Sequence, residues 1–376
     1  MTRLSRLLPN PARLRRLARR GYLALRERLL APFVPAPGPL PVGLLKGNAR
    51  ILVLTMDRLG DLVCSLPFLT ALREAAPRAV ITVCSPPYLK ELLAAQATID
   101  RWQGPGEVRG QVFDLAFDLS TDYVLAKTWL ARGVSWRVGF NVKGRGALLT
   151  HTLPCPGADT HTADKLLGLL RLAGVTPGST TPRPWCAVAE EWRGQSNAVL
   201  KALGLDPSLP YAVIHPGGTY GTQRWPADRF AAIADRLAGR LDNPPILIGG
   251  PAELGVCGQV AALAASRPIN LCGRLSMGGL AALLAGARLL VANNSGPLHL
   301  ATAVGTRTVS TMGPTLPAVW WPLGEGHTVL RHPLPCVPCN EGECRLGETP
   351  CLLAISVDEV WQAVAAILWE TGHAAV

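Results

Sequence analysis

The sequence has no continuous apolar run near the roughly 18 uncharged residues that a membrane-spanning helix needs, so we expect no transmembrane helix. Its N-terminus also lacks the apolar centre and small-residue cleavage site of a secretory signal, which predicts a chain that stays in the cytoplasm. Charged residues are only 17% of the chain and hydrophobic residues are 48%, which is typical of a well-packed globular protein. At 376 residues the chain predicts about two domains.

Acidic residues are nearly absent from the first 46 residues. This segment contains nine arginines and Lys46 against Glu27 alone, a net charge of +9 out of +11, so the rest of the chain carries only +2. A nucleic-acid-binding core would carry a basic face on the folded domain itself. We therefore expect no nucleic-acid partner.

Within residues 1–46, which we define as a basic leader and linker, apolar residues recur at helical spacing with arginines between them. The apolar positions are Leu14, Leu17, Ala18, Tyr22, Leu25 and Leu29, and a Pro/Gly linker follows at 36–41. The pattern is typical of a helix on an anionic membrane surface, where each basic residue contributes about 1 kcal/mol. An unstructured basic tail and a helix docked on its own domain are the alternatives.

Strand and helix patterns alternate through the rest of the chain, which predicts an α/β fold with parallel sheets. Two Rossmann-like domains, 47–190 and 205–355, are expected to face each other across a cleft, and 356–376 contains a core-facing C-terminal helix. The predicted strands are 50–56, 79–84, 113–119, 137–140, 211–215, 245–249, 269–272 and 289–292, with a further connecting strand at 185–188. The predicted helices are 59–74, 161–173, 227–240, 254–266, 277–285, one beginning near 296, and 356–372.

One stretch combines strand, turn and helix signals around a backbone that can hold an anion. In VANNSGPLHLATAVGTRTV, residues 291–309, Asn294 or Ser295 can cap a helix and Pro297 suits its first turn. The first N–H groups of a helix lack partners within it, and the helix dipole is positive at that end. Phosphate or pyrophosphate is therefore the expected ligand, with a plain strand-to-helix turn as the alternative.

An acidic residue follows the first predicted strand, at the sheet edge where open α/β folds bind their ligands. In RLGDLVCSLP, Gly60 permits close approach of a ligand and Asp61 lies near the carboxyl end of the strand. A carboxylate there can take the proton of an attacking hydroxyl group, and a helix N-cap is the alternative role.

Taken in order, these segments resemble glycosyltransferase family 9, whose best-known members add ADP-activated heptose to the inner core of lipopolysaccharide. The resemblance covers about residues 50 to 359 and is carried by ILVLTMDRLGDLVCSLP, FDLAFDLS with RVGF, HPGGTYGTQRWP, LIGGPAE, VANNSGPLHLA and the cysteine segment after Leu334. It implies the GT-B architecture, a nucleotide-sugar donor held mainly by the second domain, and an acceptor held mainly by the first. It also implies inversion at the anomeric carbon and no metal required for catalysis.

The resemblance implies roles for individual residues. Asp61 matches the general base, and Glu253 matches an acidic residue that binds the nucleotide ribose. His299 is placed to reach a phosphate or sugar hydroxyl, or else to be a buried helix residue. The donor-binding residues expected in this way are Thr219, Tyr220, Gln223, Arg224, Glu253, Asn294, Ser295, Gly296, Pro297, Leu298 and His299.

Two positions depart from the family pattern, and both lie at the donor. Gln223 stands where many members have a lysine that pairs with the donor phosphate, and Arg224 is the residue that can compensate. Asn294 stands where the better-studied members have an aspartate that contacts the transferred sugar. We expect a donor such as ADP-heptose or a related nucleotide sugar, with the identity of the sugar open.

The ten cysteines fall into two groups. Cys64, Cys84, Cys155, Cys186, Cys257 and Cys272 occur singly in apolar surroundings and are expected to be buried small hydrophobes. Cys336, Cys339, Cys344 and Cys351 lie within sixteen residues, a spacing that suits a structural zinc site or an iron–sulfur cluster, or else free or disulfide-forming thiols.

The favoured function is an inverting, metal-independent glycosyltransferase with a lipid-linked or cell-envelope glycan as acceptor, on the inner face of the cell membrane. A nucleotide-sugar epimerase of GT-B shape and a non-catalytic sugar-binding or scaffold protein are the alternatives. A dinucleotide oxidoreductase is disfavoured because no G-x-G-x-x-G follows the first strand.

Overall fold

A computed structural model gives the structure of the protein. It describes residues 11–36, 38, 40–41, 43–55, 58–108, 110–120, 133–176 and 183–369, with only the backbone described at 11–17 and 20. Several predicted features lie outside the described residues. They are the side chains of Leu14 and Leu17, positions 37 and 39 of the Pro/Gly linker, position 56 at the end of the first predicted strand, and 370–372 at the end of the last predicted helix.

The first domain is built on six parallel strands in the order β3-β2-β1-β4-β5-β6. The strands are β1 Arg50–Leu54, β2 Val80–Cys84, β3 Arg101–Gln103, β4 Leu115–Asp118, β5 Trp136–Asn141 and β6 His151–Pro154. The helices are α1 Pro11–Leu30, α2 Leu59–Ala75, α3 Lys90–Ala94 and α4 Thr162–Leu170. In the register of the central strands, Leu54 pairs with Cys84 of β2 and with Asp118 of β4.

The second domain repeats this architecture with the order β12-β11-β10-β7-β8-β9. Its strands are β7 Ala212–His215, β8 Ile246–Leu247, β9 Ile269–Asn270, β10 Leu289–Asn293, β11 Thr308–Thr311 and β12 His327–Leu330. Its helices are α5 Glu190–Ala202, α6 Ala227–Ala238, α7 Leu254–Leu263, α8 Met277–Gly286, α9 Gly296–Val304, α10 Pro317–Trp320, α11 Pro350–Leu353 and α12 Val357–Trp369.

The central strands are buried because helices surround both sheets. Four of the five residues of β1 and all five residues of β10 are buried, as continuous apolar runs of parallel strands predict. Phe68 of α2 packs edge-to-face on Phe117 of β4, with ring centroids 5.2 Å apart. The α/β prediction with two facing Rossmann-like domains is confirmed.

Some local predictions differ from the structure. The prediction of a connecting strand at 185–188 is wrong. No strand forms there, and the N–H of Cys186 instead donates to the carbonyl of Ala303. The sequence pattern also missed the strands β3, β6, β11 and β12 and the helices α3, α5, α10 and α11. The C-terminal helix is present as α12, and its Val360, Val364 and Leu368 are buried in the core of the second domain.

The order of the strands determines where a ligand can bind. In the first sheet the chain moves outward from β1 through β2 to β3 and then returns to the other side of β1 at β4. The second sheet has the same reversal between β7 and β10. Open parallel sheets bind ligands at the carboxyl ends of the strands at such reversals. The residues that follow β1, β4, β7 and β10 are therefore the ones expected at a site.

Candidate active site

A cleft with a volume of about 1290 Å³ lies between the two domains. Its lining includes residues that follow the strands at both reversals. The lining residues of the first domain are Arg19, Tyr22, Leu23, Arg26, Arg58, Leu59, Gly60, Asp61, Ser120 and Lys143. From the second domain they are His215, Gly218, Thr219, Tyr220, Gln223, Glu253, Asn294, Ser295, Gly296, Pro297, His299, Thr315, Trp320 and 340–343.

The N-termini of α2 and α9 meet in this cleft through two glycines. A Cβ atom on Gly60 would lie 3.6 Å from the Cα of Gly296, and one on Gly296 would lie 3.0 Å from the Cβ of Leu59. Glycine at both positions therefore allows the two helix ends to approach closely. As a result Asp61, in the first turn of α2, shares the cleft with Ser295 and Gly296.

The turn before α9 leaves a helix N-terminus facing the cleft. Ser295 is the N-cap residue, with φ −157° and ψ 176°, and Pro297 lies in the first turn. The N–H of Leu298 donates to the Ser295 carbonyl at 3.1 Å, and the Leu298 side chain is fully buried. The positive end of the helix dipole can attract an anion here. The amides of Ser295 and Gly296 are better placed to meet it than that of Leu298.

Asn293, at the end of β10, ties this turn to the neighbouring loops. Its Oδ1 accepts from the N–H of Trp225 and the hydroxyl of Thr311, both at 2.9 Å, and its Nδ2 donates to the carbonyls of Pro216 and Gly217, also at 2.9 Å. The side chain is fully buried. Every hydrogen-bonding position of this amide is engaged within the protein, so we assign Asn293 a positioning role for the walls of the cleft.

A hydrogen-bonded chain connects Glu253, His215 and Ser295. The Nε2 of His215 lies 3.1 Å from the Oε2 of Glu253, and its Nδ1 lies 3.1 Å from the hydroxyl oxygen of Ser295. Burial alone would raise the pKa of Glu253, but hydrogen bonds from His215 and from the N–H groups of Gly250 and Gly218 together lower it to about 2. Glu253 is therefore an ionised, acceptor-only group beside the cleft.

The two positions that depart from the family pattern are both held by neighbouring residues. Asn294 is buried, and its Nδ2 donates to the carbonyl of Trp320 at 3.0 Å. Gln223 lines the cleft, with its Nε2 3.5 Å from the hydroxyl of Thr315. A carboxylate at position 294 has no N–H group and could not donate a hydrogen bond to the Trp320 carbonyl. Asparagine is therefore the residue that matches the local hydrogen bonding.

Arg224 and Tyr220 have different positions in the same loop. The Nε and Nη2 of Arg224 both donate to the carbonyl of Gly218, at 3.0 and 2.8 Å, and this guanidinium braces the loop rather than lining the cleft. Tyr220 does line the cleft, with the Cζ of Arg58 5.8 Å from its ring centroid. The Arg58–Tyr220 pair links the two domains across the opening.

A buried ion pair supports the first-domain side. Arg145 and Asp118 pair through Nη2 and Oδ2 at 2.6 Å, with side chains 0% and 4% exposed. Burial raises the pKa of Asp118, and Arg145 and Ser120 oppose that shift. Arg145 also donates to the carbonyl of Ser120, and the hydroxyl of Ser120 donates to Asp118 at 2.7 Å. The pair thereby holds Ser120 at the edge of the cleft.

His299 lines the cleft but is only 4% exposed, and its ring centroid lies 5.8 Å from that of Trp320. Burial lowers its pKa from 6.5 to about 4, with smaller contributions from His161 and His327. At neutral pH the ring is therefore uncharged. It can exchange a hydrogen bond with a ligand, but it does not offer a positive charge to a phosphate.

The lowered pKa of His299 predicts acid sensitivity. Its contribution to stability is present above the unfolded value of 6.5 and is lost as the pH falls from 6.5 toward 4, because the unfolded chain binds the proton more readily. At about 1.4 kcal/mol per pKa unit, the loss reaches about 3 kcal/mol near pH 4. Free energies of unfolding measured from pH 8 to 4.5 should fall, and His299→Asn should flatten this fall. An identical pH profile for His299→Asn would contradict this assignment.

The cysteine segment lies beside the donor-side loop. Cys336, Cys339, Cys344 and Cys351 line one cavity of about 210 Å³ together with Thr222, whose hydroxyl donates to the Glu341 carbonyl at 2.9 Å. Cys336 and Cys339 are exposed and Cys351 is buried. Across the described part of the chain, no three Cys, His, Asp or Glu side chains are arranged as metal ligands.

Of the six single cysteines, five are buried as predicted, but Cys155 is exposed and that prediction is wrong. Cys155 follows β6, the edge strand of the first sheet, where no neighbouring strand covers it. Burial raises the pKa of the Cys64, Cys186 and Cys257 thiols, which makes these thiols unreactive.

Sequence reasoning missed several parts of the cleft. Residues of α1 precede the first motif, and the segment 340–343 lies within the cysteine segment, which was not expected at the cleft. Thr315 and Trp320 follow β11 in a stretch without a recognised motif. The order of the strands could have pointed to Ser120, because it follows β4 at the reversal of the first sheet.

The family model described as Glycosyltransferase family 9 (heptosyltransferase) matches residues 105–349. Among curated relatives, lipopolysaccharide heptosyltransferase 1 of Pseudomonas aeruginosa is 35% identical over 38% of this chain and 40% of its own length. The first three relatives are matched over only 40–49% of their lengths. Lipopolysaccharide heptosyltransferase 2 of Escherichia coli is 22% identical over 85% of this chain and 98% of its own length.

Solved structures agree on the fold. The structure of E. coli ADP-heptose lps heptosyltransferase II superimposes with a TM-score of 0.73 at 21% identity, covering 86% of this chain and 99% of that one. A glycosyl transferase family 9 structure from Veillonella parvula gives 0.77 at 23% identity, covering 89% and 100%. These likenesses identify the architecture as GT-B. The family model, which matches more than half of the chain, establishes that the chain belongs to glycosyltransferase family 9.

Proposed function

We propose that the protein transfers a sugar, heptose or a related one, from a nucleotide sugar such as ADP-heptose to a lipid-linked or cell-envelope glycan, with inversion at the anomeric carbon. The observation that carries the proposal is the contact of Gly60 with Gly296, which sets Asp61 and the N-terminus of α9 in one cleft. The relatives are lipopolysaccharide heptosyltransferases, and this supports the choice of donor and acceptor classes.

The reaction needs one base and one site for a leaving anion. An acceptor hydroxyl attacks the anomeric carbon, a new carbon–oxygen bond forms, and the bond to the diphosphate oxygen breaks with its electrons. Asp61 takes the hydroxyl proton, and the amides of Ser295 and Gly296 stabilise the departing diphosphate. Direct displacement from the face opposite the leaving group gives inversion. Because amides and nearby cations supply the positive potential, no metal is required for this step.

The second domain is proposed to hold the donor. Glu253, ionised and already oriented by His215, accepts hydrogen bonds from the ribose hydroxyls. Asn294, oriented by its bond to Trp320, offers its Oδ1 to the transferred sugar. Thr219, Tyr220, Gln223, Pro297 and His299 contact the donor along the same wall, while Arg224 and Leu298 act from behind it by shaping the loop and the turn.

Gln223→Lys tests where the donor phosphates lie. If they bind at α9, an ammonium at 223 would add an attractive charge at the cleft, and the KM for the donor should fall several-fold at low ionic strength. The gain should shrink as salt is added, since a partly exposed pair is screened. Gln195→Lys, which adds the same charge at an exposed position of α5, is the matched control and should leave the donor KM unchanged. A donor KM for Gln223→Lys that equals the control would contradict this placement.

The experiment for the function as a whole is a transfer assay with ADP-, GDP-, UDP- and dTDP-sugars, using heptose-deficient lipopolysaccharide as acceptor and mass spectrometry to detect the product. Transfer from at least one donor, with the anomeric configuration inverted, supports the proposal. Tight donor binding without turnover would indicate a scaffold protein, and conversion of the donor sugar without transfer would indicate an epimerase.

We further propose that the protein is cytoplasmic and acts as a peripheral protein on the inner face of the cell membrane. Among the described residues no helix is long and apolar enough to cross a bilayer. Tyr22, Leu25 and Leu29 of α1 are each more than half exposed on a helix rich in arginine. An exposed apolar stripe beside cations is the pattern of a helix that binds an anionic membrane surface.

The cysteine segment is proposed to be a structural support for the donor-side loop, either with four free or disulfide-forming thiols or with four thiolates as ligands of zinc or an iron–sulfur cluster. Cys336, Cys339, Cys344 and Cys351 share one cavity, which supports a common role. As placed, with Cys336 and Cys339 exposed, the described side chains do not form a set of three metal ligands. Elemental analysis of protein purified without chelator separates the two forms, because stoichiometric zinc or iron would show the metal site and its absence would leave four thiols.

A further inference from the structure

Helix α1 is docked on the first domain next to the cleft. The Nε of Arg26 donates to the carbonyl of Lys143 at 2.8 Å. A Cβ atom on Gly144, which has φ +76°, would lie 3.2 Å from both the Arg26 carbonyl oxygen and the Cδ1 of Leu30. Glycine at 144 thus serves both the backbone conformation and the close approach of the helix. The family match begins at residue 105, so α1 is outside the matched region.

One face of α1 forms part of the cleft wall. Arg19, Tyr22, Leu23 and Arg26 line the cleft, and their spacing of three, four and seven residues places them on one side of the helix. Arg58 and Lys143 line the same wall. Among the described lining residues of the first domain, four cations therefore face the cleft against the single carboxylate of Asp61.

A second face of the same helix is apolar and exposed. Tyr22, Leu25 and Leu29, followed by Phe33 just beyond the helix, are 57–70% exposed. Their spacing of three and four residues makes one stripe. Tyr22 belongs to both faces. The stripe therefore borders the cationic opening of the cleft directly.

We infer that α1 is an acceptor-binding element: Arg19, Arg26 and Lys143 bind the phosphate or carboxylate groups of an anionic glycolipid while Leu25, Leu29 and Phe33 rest in the lipid layer. The inference rests on the proposed function, because it names the chemistry of the acceptor that enters from the first domain. The charge on the wall and the adjoining apolar stripe match the two ends of such a molecule. A membrane without the glycolipid would match the apolar stripe, but it would attract the cations of the wall only through its general negative charge.

Binding can be measured without chemistry by sedimenting the full chain with vesicles. One set contains heptose-deficient lipopolysaccharide in phosphatidylcholine, and the other contains phosphatidylglycerol at the same total negative charge. The parent protein should bind the first set at least tenfold more tightly. Equal binding to the two sets would overturn the inference and leave a helix that only senses membrane charge.

Substitutions separate the two faces. Arg19→Gln combined with Lys143→Gln should weaken binding to the glycolipid vesicles by about 100-fold, at roughly tenfold for each charge-assisted contact. Arg28→Gln is the matched control, since Arg28 is exposed on the same helix and does not line the cleft. Leu29→Ser should weaken binding to both vesicle sets. Leu263, at the end of α7, is exposed to a similar extent, and Leu263→Ser should not weaken binding.

In the transfer assay the double variant should raise the KM for the acceptor and leave the KM for the donor within twofold. If transfer proceeds with an acceptor KM equal to that of Arg28→Gln, the inference fails and the proposed function stands. If no nucleotide sugar supports transfer but the glycolipid preference depends on Arg19 and Lys143, the proposed function fails and the binding site stands.

Discussion

Asp61→Asn should fold and bind donor like the parent while losing 10²–10⁴-fold in the rate of transfer, the usual contribution of a general base. Asp61 lies in the first turn of α2 and lines the cleft that the second domain's anion-attracting turn also lines. The amide has nearly the same shape but cannot accept the hydroxyl proton. Single-turnover rates with saturating donor and acceptor are the direct measurement.

Asp164→Asn is the matched control for this result. Asp164 also lies in the first turn of a helix of the first domain, α4, and it does not line the cleft. It should show the small stability change of an acidic residue lost near a helix N-terminus, about 0.3–1 kcal/mol, and an unchanged rate. If Asp61→Asn retains a rate within a few-fold of the parent, Asp61 is not the base.

Arg145→Met should destabilise the protein by about 3–5 kcal/mol, because it leaves the carboxylate of Asp118 buried without its partner. The two side chains are almost fully buried, and burial already raises the pKa of Asp118. Denaturant or thermal unfolding would measure the loss. Combining Arg145→Met with Asp118→Asn should recover part of it, since the uncompensated charge is then gone.

An exposed pair on the same sheet provides the comparison. The Nε of Arg50 lies 3.6 Å from the Oδ2 of Asp114, and the two side chains are 52% and 40% exposed. Arg50→Met should therefore cost no more than about 1 kcal/mol, as surface ion pairs usually do. Equal losses for Arg145→Met and Arg50→Met would contradict the view that burial of the Asp118–Arg145 pair determines its importance.

The same ion pair illustrates what could be predicted from the sequence. The strand that ends at Asp118 is predicted from its apolar run, and Arg145 is visible only as part of a basic loop 27 residues later. Which acid meets which base depends on β4 and β5 lying side by side, and single-sequence patterns do not contain that pairing. Most strands and helices were therefore predictable, while their long-range contacts were not.

The cleft shows the same division. Asp61 and the turn at Asn294–Gly296 follow strongly apolar strands, so their place at the carboxyl edges of the sheets could be predicted. The bond from Asn294 to the Trp320 carbonyl could not, because it joins segments with no shared periodicity. The docking of α1 on its own domain was one of three possibilities that the sequence of the leader left open, because its arginines suit a membrane surface and a cleft wall equally well.

A diphosphate bound at the start of α9 should face Asp61 across the cleft, and a crystal structure of the protein with ADP would show whether it does. We expect the diphosphate within hydrogen-bonding distance of the Ser295 and Gly296 amides, the ribose on Glu253, and the terminal phosphate directed toward Asp61. A diphosphate bound elsewhere, or a wall of protein between it and Asp61, would rule out Asp61 as the base that faces the leaving group.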